Sequence, residues 1–320
     1  MSITVPVAFL IFNRPDLTAK VFSVIAAAKP SKLLVVADGP RSPEEAEKCA
    51  NARAVLERID WPCELLTKFA DRNLGCGPCV SSGLNWVFSQ VEEAIILEDD
   101  VLPVPSFFDF CQTLLERYRD DERVMHIGGT NVQGGQSRTN YSYYFSKYNH
   151  VWAWATWRRA WKYYDYEMKT WPEFKNLGLL EGICENEFEV RYWCDIFDKM
   201  SSDDHINTWD YQWTYACWSQ GGLTALPNVN LTSNLGFRSD ATHTTVADTA
   251  YAKPLANLPA SDLGGITHPP FVVRNGVADR YTFDFVLGGR EMELANETVR
   301  WPARVRRKIS NLRTRIDGKS

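Results

Sequence analysis

The sequence lacks several features that would assign it to a common class of protein. None of its apolar runs reaches the length of about 18 residues expected of a membrane-spanning helix. It has no excess of positive charge, because its 320 residues carry a formal net charge of -5, and this argues against nucleic acid as a partner of the whole chain. The first residues lack the basic segment of a secretion signal. We therefore expect a cytoplasmic protein whose eight cysteines are reduced.

The cysteines also lack the spacing of a zinc site, since there is no second CxxC and no Cys/His pair at zinc-finger distance. The single CxxC, Cys76-Gly77-Pro78-Cys79, spells the active site of thioredoxins and stands where a helix is predicted to begin. A helix start lowers the pKa of a thiol, so a thiol oxidoreductase is one candidate function. The alternative is that Gly77 and Pro78 form a turn and a helix start, which leaves the two cysteines incidental to catalysis.

The first 127 residues alternate between strand and helix patterns. Short apolar runs rich in β-branched residues predict strands, and helical periodicity predicts the segments between them. The predicted strands cover residues 5–12, 32–40, 63–69, 93–101 and 123–129. Asn13 is placed to cap the helix that follows the first strand. The alternation predicts an α/β fold with a mainly parallel central sheet and helices on both faces, whose ligand binds beyond the carboxyl ends of the strands.

One strand is predicted to end in three carboxylates. In IILEDD, the residues Glu98, Asp99 and Asp100 follow an apolar run directly. Like charges this close to one another disfavour joint ionisation unless a cation lies nearby. A hard divalent metal with oxygen ligands would satisfy them, and it could also bind phosphates. The alternative is a solvated strand end that meets Lys or Arg from a neighbouring loop.

Seven stretches occur in an order that resembles a known family. They are PVAFLIFNRPD, VVADGP, RNLGC, EEAIILEDDVLP, VWAWATWRRAW, TWDYQW and SNLGFRSDATHT, and they span about residues 5 to 245. The sequence is similar to GT-A glycosyltransferases, and more closely to the bacterial glycosyltransferase-like proteins labelled hemolytic protein HlpA-like, which are related to the animal N-acetylglucosaminyltransferase I family. The resemblance implies a GT-A (nucleotide-diphospho-sugar transferase) fold.

The expected organisation has four parts. Residues 1–127 would form the nucleotide-sugar-binding half of one GT-A domain, and residues 128–245 its acceptor and catalytic half. Residues 246–299 form an irregular C-terminal extension, rich in Pro, Gly and Asn. Residues 300–320 form a basic tail.

The resemblance implies contacts with the nucleotide. Asn13 and Arg14, at the end of the first strand, would lie against it, and Asp38 would bond the base, which in this family is usually uracil. Glu98 and Asp99 would face the ribose and metal-bound waters. For Asp38 the alternative is that its carboxylate only shapes the Asp-Gly turn in which it stands.

The resemblance also implies a metal, a base and a phosphate-binding loop. Asp100 would hold Mn²⁺ or Mg²⁺ directly. Asp210 falls where the family places its catalytic base, although it could instead be the N-cap of the following helix. The residues that would fold over the diphosphate are Arg238, Ser239, Thr242 and His243.

These parts suit the transfer of a sugar from a nucleotide sugar, with a UDP-sugar as the favoured donor, to a glycan or lipid-linked acceptor. One base opposite the leaving group predicts inversion at the anomeric carbon. A sugar-nucleotide nucleotidyltransferase is an alternative, but it should carry a Gly-rich basic loop after the first strand, where this chain has FNRPDL. Another alternative is a non-catalytic nucleotide-sugar-binding protein, which would be indifferent to loss of Asp210.

The basic tail carries eight Lys or Arg between residues 300 and 320. Its apolar residues are spaced four, four, three and four apart: Trp301, Val305, Ile309, Leu312 and Ile316. An apolar stripe on a cationic helix is typical of binding to an anionic membrane surface. We therefore expect a cytoplasmic protein held peripherally at the membrane, although the helix could instead pack on the domain or bind a partner.

Overall fold

An eight-stranded sheet organises the computed structural model, which describes residues 3–202, 206–236 and 258–295. The strands are β1 (Val7–Ile11), β2 (Lys32–Ala37), β3 (Glu64–Phe69), β4 (Glu93–Glu98), β5 (Val101–Pro103), β6 (Val124–Gly128), β7 (Tyr143–Ser146), β8 (Trp154–Trp157), β9 (Leu223–Pro227) and β10 (Thr232–Asn234). The helices are α1 (Pro15–Ala28), α2 (Pro43–Arg53), α3 (Cys76–Gln90), α4 (Ser106–Arg117), α5 (Arg158–Trp161), α6 (Trp171–Asn176), α7 (Glu187–Met200), α8 (Asp210–Ser219) and α9 (Gly276–Tyr281).

The strand order in the sheet is β3-β2-β1-β4-β8-β6-β9-β7. The first half is the predicted parallel array, because β1 pairs in parallel with both β2 and β4, and β2 pairs in parallel with β3. The second half is mixed: β8 runs antiparallel to β4 and β6, while β7 runs antiparallel to β9. The α/β prediction is confirmed, and the sheet as a whole is mixed, with four parallel and three antiparallel pairs.

Helices cover both faces of the sheet, as predicted. Successive strand residues point to opposite faces, so Phe9 of β1 packs in one buried cluster and Leu10 in the other. The first cluster includes the apolar sides of α1 and α4, and the second includes those of α3, α7 and α8. The inner parallel strands β1, β2 and β4 are therefore buried on both sides, which explains their apolar runs, whereas the edge strand β3 is largely exposed.

Part of the C-terminal extension packs on the edge strand β7. The backbones of Arg274 and Phe145 form an isolated parallel β-bridge. The buried Asp279 of α9 accepts a hydrogen bond from the hydroxyl of Ser146 at 2.5 Å. The amphipathic stripe predicted for residues 300–320 lies outside the described residues. In the part of the chain that is described, every helix is too short or too polar to cross a membrane.

Candidate functional site at the carboxyl ends of the parallel strands

A cavity of about 440 Å³ opens where β1, β2 and β4 end. This is the edge at which a ligand was expected, since strand ends and helix starts converge there in parallel α/β sheets. Six of the predicted site residues line the cavity: Arg14, Asp38, Glu98, Asp99, Asp100 and Asp210. Residues 98–100 and Asp210 are more than 100 positions apart in sequence, so the fold brings together what the resemblance implies to be the donor and catalytic residues.

The acidic strand end already has one cationic partner. The guanidinium of Arg14 donates from Nη1 to Oδ2 of Asp100 at 2.9 Å, and from Nη2 to Oδ1 of Asp99. Asp99 is buried, and its Oδ2 also accepts the backbone N–H of Phe12 at 3.1 Å. The arginine that could neutralise a solvated strand end therefore comes from the loop after β1, while Asp100 stays partly open to the cavity.

The carboxylates here perturb one another. Burial raises the pKa of Glu98 well above its ordinary range, and the nearby charges of Asp100 and Asp99 add to the shift. Burial also raises the pKa of Asp99 to about 6, although the Arg14 guanidinium opposes that change. Asp210 contributes to the field that acts on Glu98. A cation that entered the cavity would favour the ionised form of all these groups.

The potential metal ligands at this strand end fit a hard divalent cation, because the side chains of Glu98, Asp99 and Asp100 present only carboxylate oxygens. No three His, Cys, Asp or Glu side chains within residues 3–202, 206–236 and 258–295 converge closely enough to hold a metal ion by themselves. Mg²⁺ often binds through one or two carboxylates, with the rest of its ligands supplied by waters and substrate phosphates. Such a site needs only Asp100 from the protein, as the resemblance implies.

Asp38 builds the wall of the cavity with its own carboxylate. Oδ1 accepts the backbone N–H groups of Gly39 and Leu74, each at 2.8 Å. Oδ2 accepts the N–H of Gly75 at 3.1 Å and the amide Nδ2 of Asn73 at 2.9 Å. A carboxylate has about four acceptor positions, and all four are used. The structure therefore favours the alternative in which Asp38 shapes its turn, and a contact with a base stays a prediction.

Asn13 stands beside the cavity and is not part of its lining. Its Nδ2 donates to Oε1 of Glu45 at 2.5 Å, which ties the loop after β1 to α2. The expectation that Asn13 caps α1 is wrong, because Arg14 occupies the N-cap position and no side chain there makes a capping hydrogen bond. Glu45 also holds the guanidinium of Arg41, a cavity-lining residue that the sequence reasoning missed.

Asp210 is the first residue of α8 and points into the cavity. The N-cap alternative is wrong, since Trp209 occupies that position without a side-chain capping bond. The hydroxyl of Thr208 donates to Oδ1 of Asp210, which orients the carboxylate. The start of a helix also favours a negative charge, because the peptide dipoles present their positive end there.

The loop before α8 docks on the start of α3. Oδ1 of Asn207 accepts the N–H of Gly77 at 2.8 Å. Gly75 has φ +86°, and a Cβ there would lie 2.4 Å from Nδ2 of Asn207. Only glycine suits that backbone and that contact. The sequence analysis did not identify Asn207 or Thr208 as site residues, although Thr208 begins the TWDYQW stretch and Asn207 precedes it.

The CxxC pair also lines the cavity, with Cys76 as the first residue of α3. Both thiols are free. Burial raises the pKa of Cys79 to about 12, and burial with the charges of Glu98 and Asp210 raises the pKa of Cys76 further. The expectation that the helix start lowers the thiol pKa is therefore wrong. Because the thiolate is the nucleophile, this site is poorly suited to thiol–disulfide exchange.

A short two-stranded sheet brings a second chain segment to Asp100. β10 pairs antiparallel with β5, so that Asn234 lies opposite Val101, and the N–H of Leu235 donates to the backbone carbonyl of Asp100 at 2.7 Å. Gly236 then packs against the Asp100 carboxylate. The predicted diphosphate-binding residues follow a few positions later in sequence, outside the described residues: Arg238, Ser239, Thr242 and His243.

Neither a scan against models of protein families nor a search among curated proteins finds a match to this sequence. The α/β fold and the polar cavity at its strand ends are therefore the observations on which a function is proposed.

Proposed function

We propose that this chain is a metal-dependent GT-A glycosyltransferase, which transfers a sugar from a nucleotide sugar to a glycan or a lipid-linked saccharide. A UDP-sugar is the favoured donor. The observation that carries the proposal is the convergence of two acidic groups in one cavity: the strand end Glu98–Asp100 and the helix-start carboxylate of Asp210. The seven stretches that resemble the family support it, since each of them contributes residues to this cavity.

The donor would bind along the ends of β1, β2 and β4. The loop organised by Asp38 forms one wall, while Glu98 and Asp99 lie at the other and would face the ribose. Asp100 would hold Mn²⁺ or Mg²⁺, which when bound stabilises the negative charge of the leaving diphosphate. Arg14, and Arg238 from the segment after Gly236, are the proposed cationic partners of the phosphates.

The transfer itself requires a base and a leaving group on opposite sides of the anomeric carbon. The acceptor hydroxyl would give its proton to Asp210 while its oxygen forms a bond to that carbon. The bond from the anomeric carbon to the diphosphate oxygen breaks, and its electron pair leaves with the diphosphate. This single displacement inverts the anomeric centre. The hydrogen bond from Thr208 holds the Asp210 carboxylate in place without blocking its second oxygen.

The proposed acceptor is a glycan or lipid-linked saccharide, reached at the cytoplasmic face of a membrane. The support comes from the basic amphipathic pattern of residues 300–320. Deletion of these residues should weaken binding to vesicles that contain anionic lipid and should leave binding to neutral vesicles unchanged. Equal binding of both forms to anionic vesicles would remove this part of the proposal.

Thermal stabilisation by nucleotide sugars, with and without Mn²⁺, tests the donor site. A ligand that binds only the folded state stabilises it by about 2.7 kcal/mol at about 100 times its Kd. We expect the melting temperature to rise with a UDP-sugar and Mn²⁺ together, and the rise to vanish in Asp100→Ala. Asp109→Ala, an exposed acid on α4, is the matched control and should keep the rise. No rise with any nucleotide sugar in a folded sample would refute the donor site.

Thermal stabilisation of Asp210→Asn, together with assays of sugar transfer and donor hydrolysis, separates an enzyme from a binding protein. As an enzyme, the variant should bind the donor like the wild type but lose transfer and donor hydrolysis by about 100-fold or more, because a positioned base contributes on that scale. A variant that keeps full activity would contradict the role of Asp210. A wild type that binds donor but transfers sugar to no acceptor and hydrolyses none would instead favour the non-catalytic alternative.

A further inference from the structure

Arg14 contacts the carboxylate that would hold the proposed metal. Its guanidinium bridges Asp99 and Asp100, and the oxygen of Asp100 that it contacts is Oδ2, at 2.9 Å. Its backbone carbonyl is fixed by hydrogen bonds from the N–H and the hydroxyl of Thr18, at 2.9 and 2.7 Å. The arginine therefore projects from an anchored helix start, and its side chain is mostly shielded from solvent.

The charges around Arg14 are unbalanced. Four carboxylates line the cavity near it, those of residues 98, 99, 100 and 210. Within the described ranges, Arg14 is the only cation in an ion pair with any of these four. Arg41 lines the same cavity, but its guanidinium is held by Glu45 and lies over the ring of Phe12 at 5.3 Å from the centroid. The described part of the chain thus supplies one ion-paired cation to the acidic strand end.

We propose that Arg14 is a placeholder cation, which competes with the divalent metal for Asp100 and is released when a nucleoside diphosphate binds. This inference rests on the proposed function, because it assumes that Asp100 is the metal ligand. A guanidinium and a metal dication at the same carboxylate repel each other, so each weakens the binding of the other to Asp100. The forked guanidinium pairs well with phosphate oxygens, so a diphosphate offers Arg14 a new partner when it leaves Asp100.

Cooperative binding follows from this competition. A metal that binds alone must displace Arg14 from Asp100 without offering the guanidinium a new anionic partner. A diphosphate that binds alone must draw Arg14 away from Asp99 and Asp100, and the two carboxylates then repel each other. When both bind, each removes the cost that the other faces. Coupling of this kind is reciprocal, so Mn²⁺ must raise the affinity for uridine diphosphate by the same factor by which uridine diphosphate raises the affinity for Mn²⁺.

Calorimetric titration of the full chain tests the inference with Mn²⁺ alone, uridine diphosphate alone, and each in the presence of the other. In Arg14→Gln we expect the affinity for Mn²⁺ alone to rise by about tenfold, which corresponds to about 1.4 kcal/mol. The coupling factor between Mn²⁺ and uridine diphosphate should shrink by a similar amount. Arg14→Lys keeps the charge and loses the fork, so its affinity for Mn²⁺ alone should lie between those of the wild type and Arg14→Gln.

Arg41→Gln is the matched control, because it removes a positive charge from the same cavity without touching Asp100. Its affinity for Mn²⁺ alone should stay within about threefold of wild type, the effect of a screened surface charge. An equal rise in Arg14→Gln and Arg41→Gln would overturn the inference, since the overall field and not the contact would then govern metal binding.

The other outcomes separate this inference from the proposed function. If the wild type binds Mn²⁺ with uridine diphosphate, but Arg14→Gln binds Mn²⁺ alone no better than wild type does, the placeholder role is refuted and the donor site stands. If the wild type binds Mn²⁺ neither alone nor with uridine diphosphate, both are refuted. Circular dichroism of each variant establishes that it is folded, and Arg14→Lys carries the test if Arg14→Gln does not fold.

Discussion

Replacing Asp38 by asparagine tests whether this carboxylate builds the cavity wall or serves only to contact a nucleotide. The two roles differ in what happens without any ligand. As the organiser of the loop at residues 73–75, Asp38 should contribute to the stability of the empty protein. As a residue that only contacts a nucleotide base, it should affect nucleotide affinity alone.

The magnitude follows from the four hydrogen bonds. Asparagine is nearly the same size as aspartate, and its one oxygen can still accept from the N–H groups of Gly39 and Leu74. Its NH₂ group would then face two donors, the N–H of Gly75 and the amide of Asn73. Each donor left without an acceptor costs about 1–3 kcal/mol when buried. Both groups are partly exposed, and the Asn73 amide keeps its bond to the carbonyl of Gly39 at 3.0 Å, so we expect a total loss of about 2 kcal/mol.

The assay is the free energy of unfolding in urea, measured without ligand for wild type, Asp38→Asn and Asp71→Asn. Asp71 lies in the adjoining loop and is exposed, so its variant should change stability by less than about 0.5 kcal/mol. If Asp38→Asn also changes stability by less than about 0.5 kcal/mol and weakens nucleotide binding, the structural role argued here is refuted and the direct contact with the base is favoured.

Three further predictions concern other parts of the site and core. In Gly236→Ala the new Cβ would lie 2.3 Å from Oδ2 of Asp100. Calorimetry should then show metal-dependent donor binding weakened about tenfold, the effect of one disturbed charged contact. The control Gly264→Ala, which has open space around the new Cβ, should bind the donor normally. Burial lowers the pKa of His126 from 6.5 to about 3, so between these pH values the unfolded chain binds a proton that the folded chain does not. The free energy of unfolding should therefore fall by up to about 1.4 kcal/mol per pH unit as the pH drops from about 6.5 towards 3. Between pH 6 and pH 4, urea unfolding should show a smaller loss of stability for His126→Gln than for wild type, and an equal loss would contradict this. The raised thiol pKa of Cys76 predicts alkylation by iodoacetamide at pH 8 at least about tenfold slower than for a free thiol, and labelling as fast as glutathione would refute it.

The alternation of strands and helices in the first 127 residues could be read from the sequence because it is a local property. A parallel strand buried on both faces is an uninterrupted apolar run, and β1, β2 and β4 fall inside the predicted segments. The acidic strand end was visible for the same reason, since its three carboxylates are consecutive. The position of such residues at the ligand-binding edge then follows from how parallel strands align.

The second half of the sheet could not be predicted in this way. β8 lies between β4 and β6 although it follows both in sequence, and nothing local to WATW specifies that pairing. Non-local strand order depends on which exposed edges and apolar faces fit together once the earlier elements have formed. Asp210 reaches the cavity through the same non-local packing, because Asn207 anchors its loop on α3.

The sequence by itself therefore determined the fold class, the parallel direction of the first strands and the cluster of carboxylates at one of their ends. Only the tertiary structure determined which polar groups have their hydrogen-bond and ion-pair partners within the protein and which remain available to a ligand. It used all four acceptor positions of Asp38 within its own loop, and it set Arg14 against Asp99 and Asp100. It also buried Cys79 and partly buried Cys76, which raised the pKa of both thiols despite a helix start. Such outcomes depend on the balance between desolvation and a few charges brought close by folding, and residue spacing does not encode that balance.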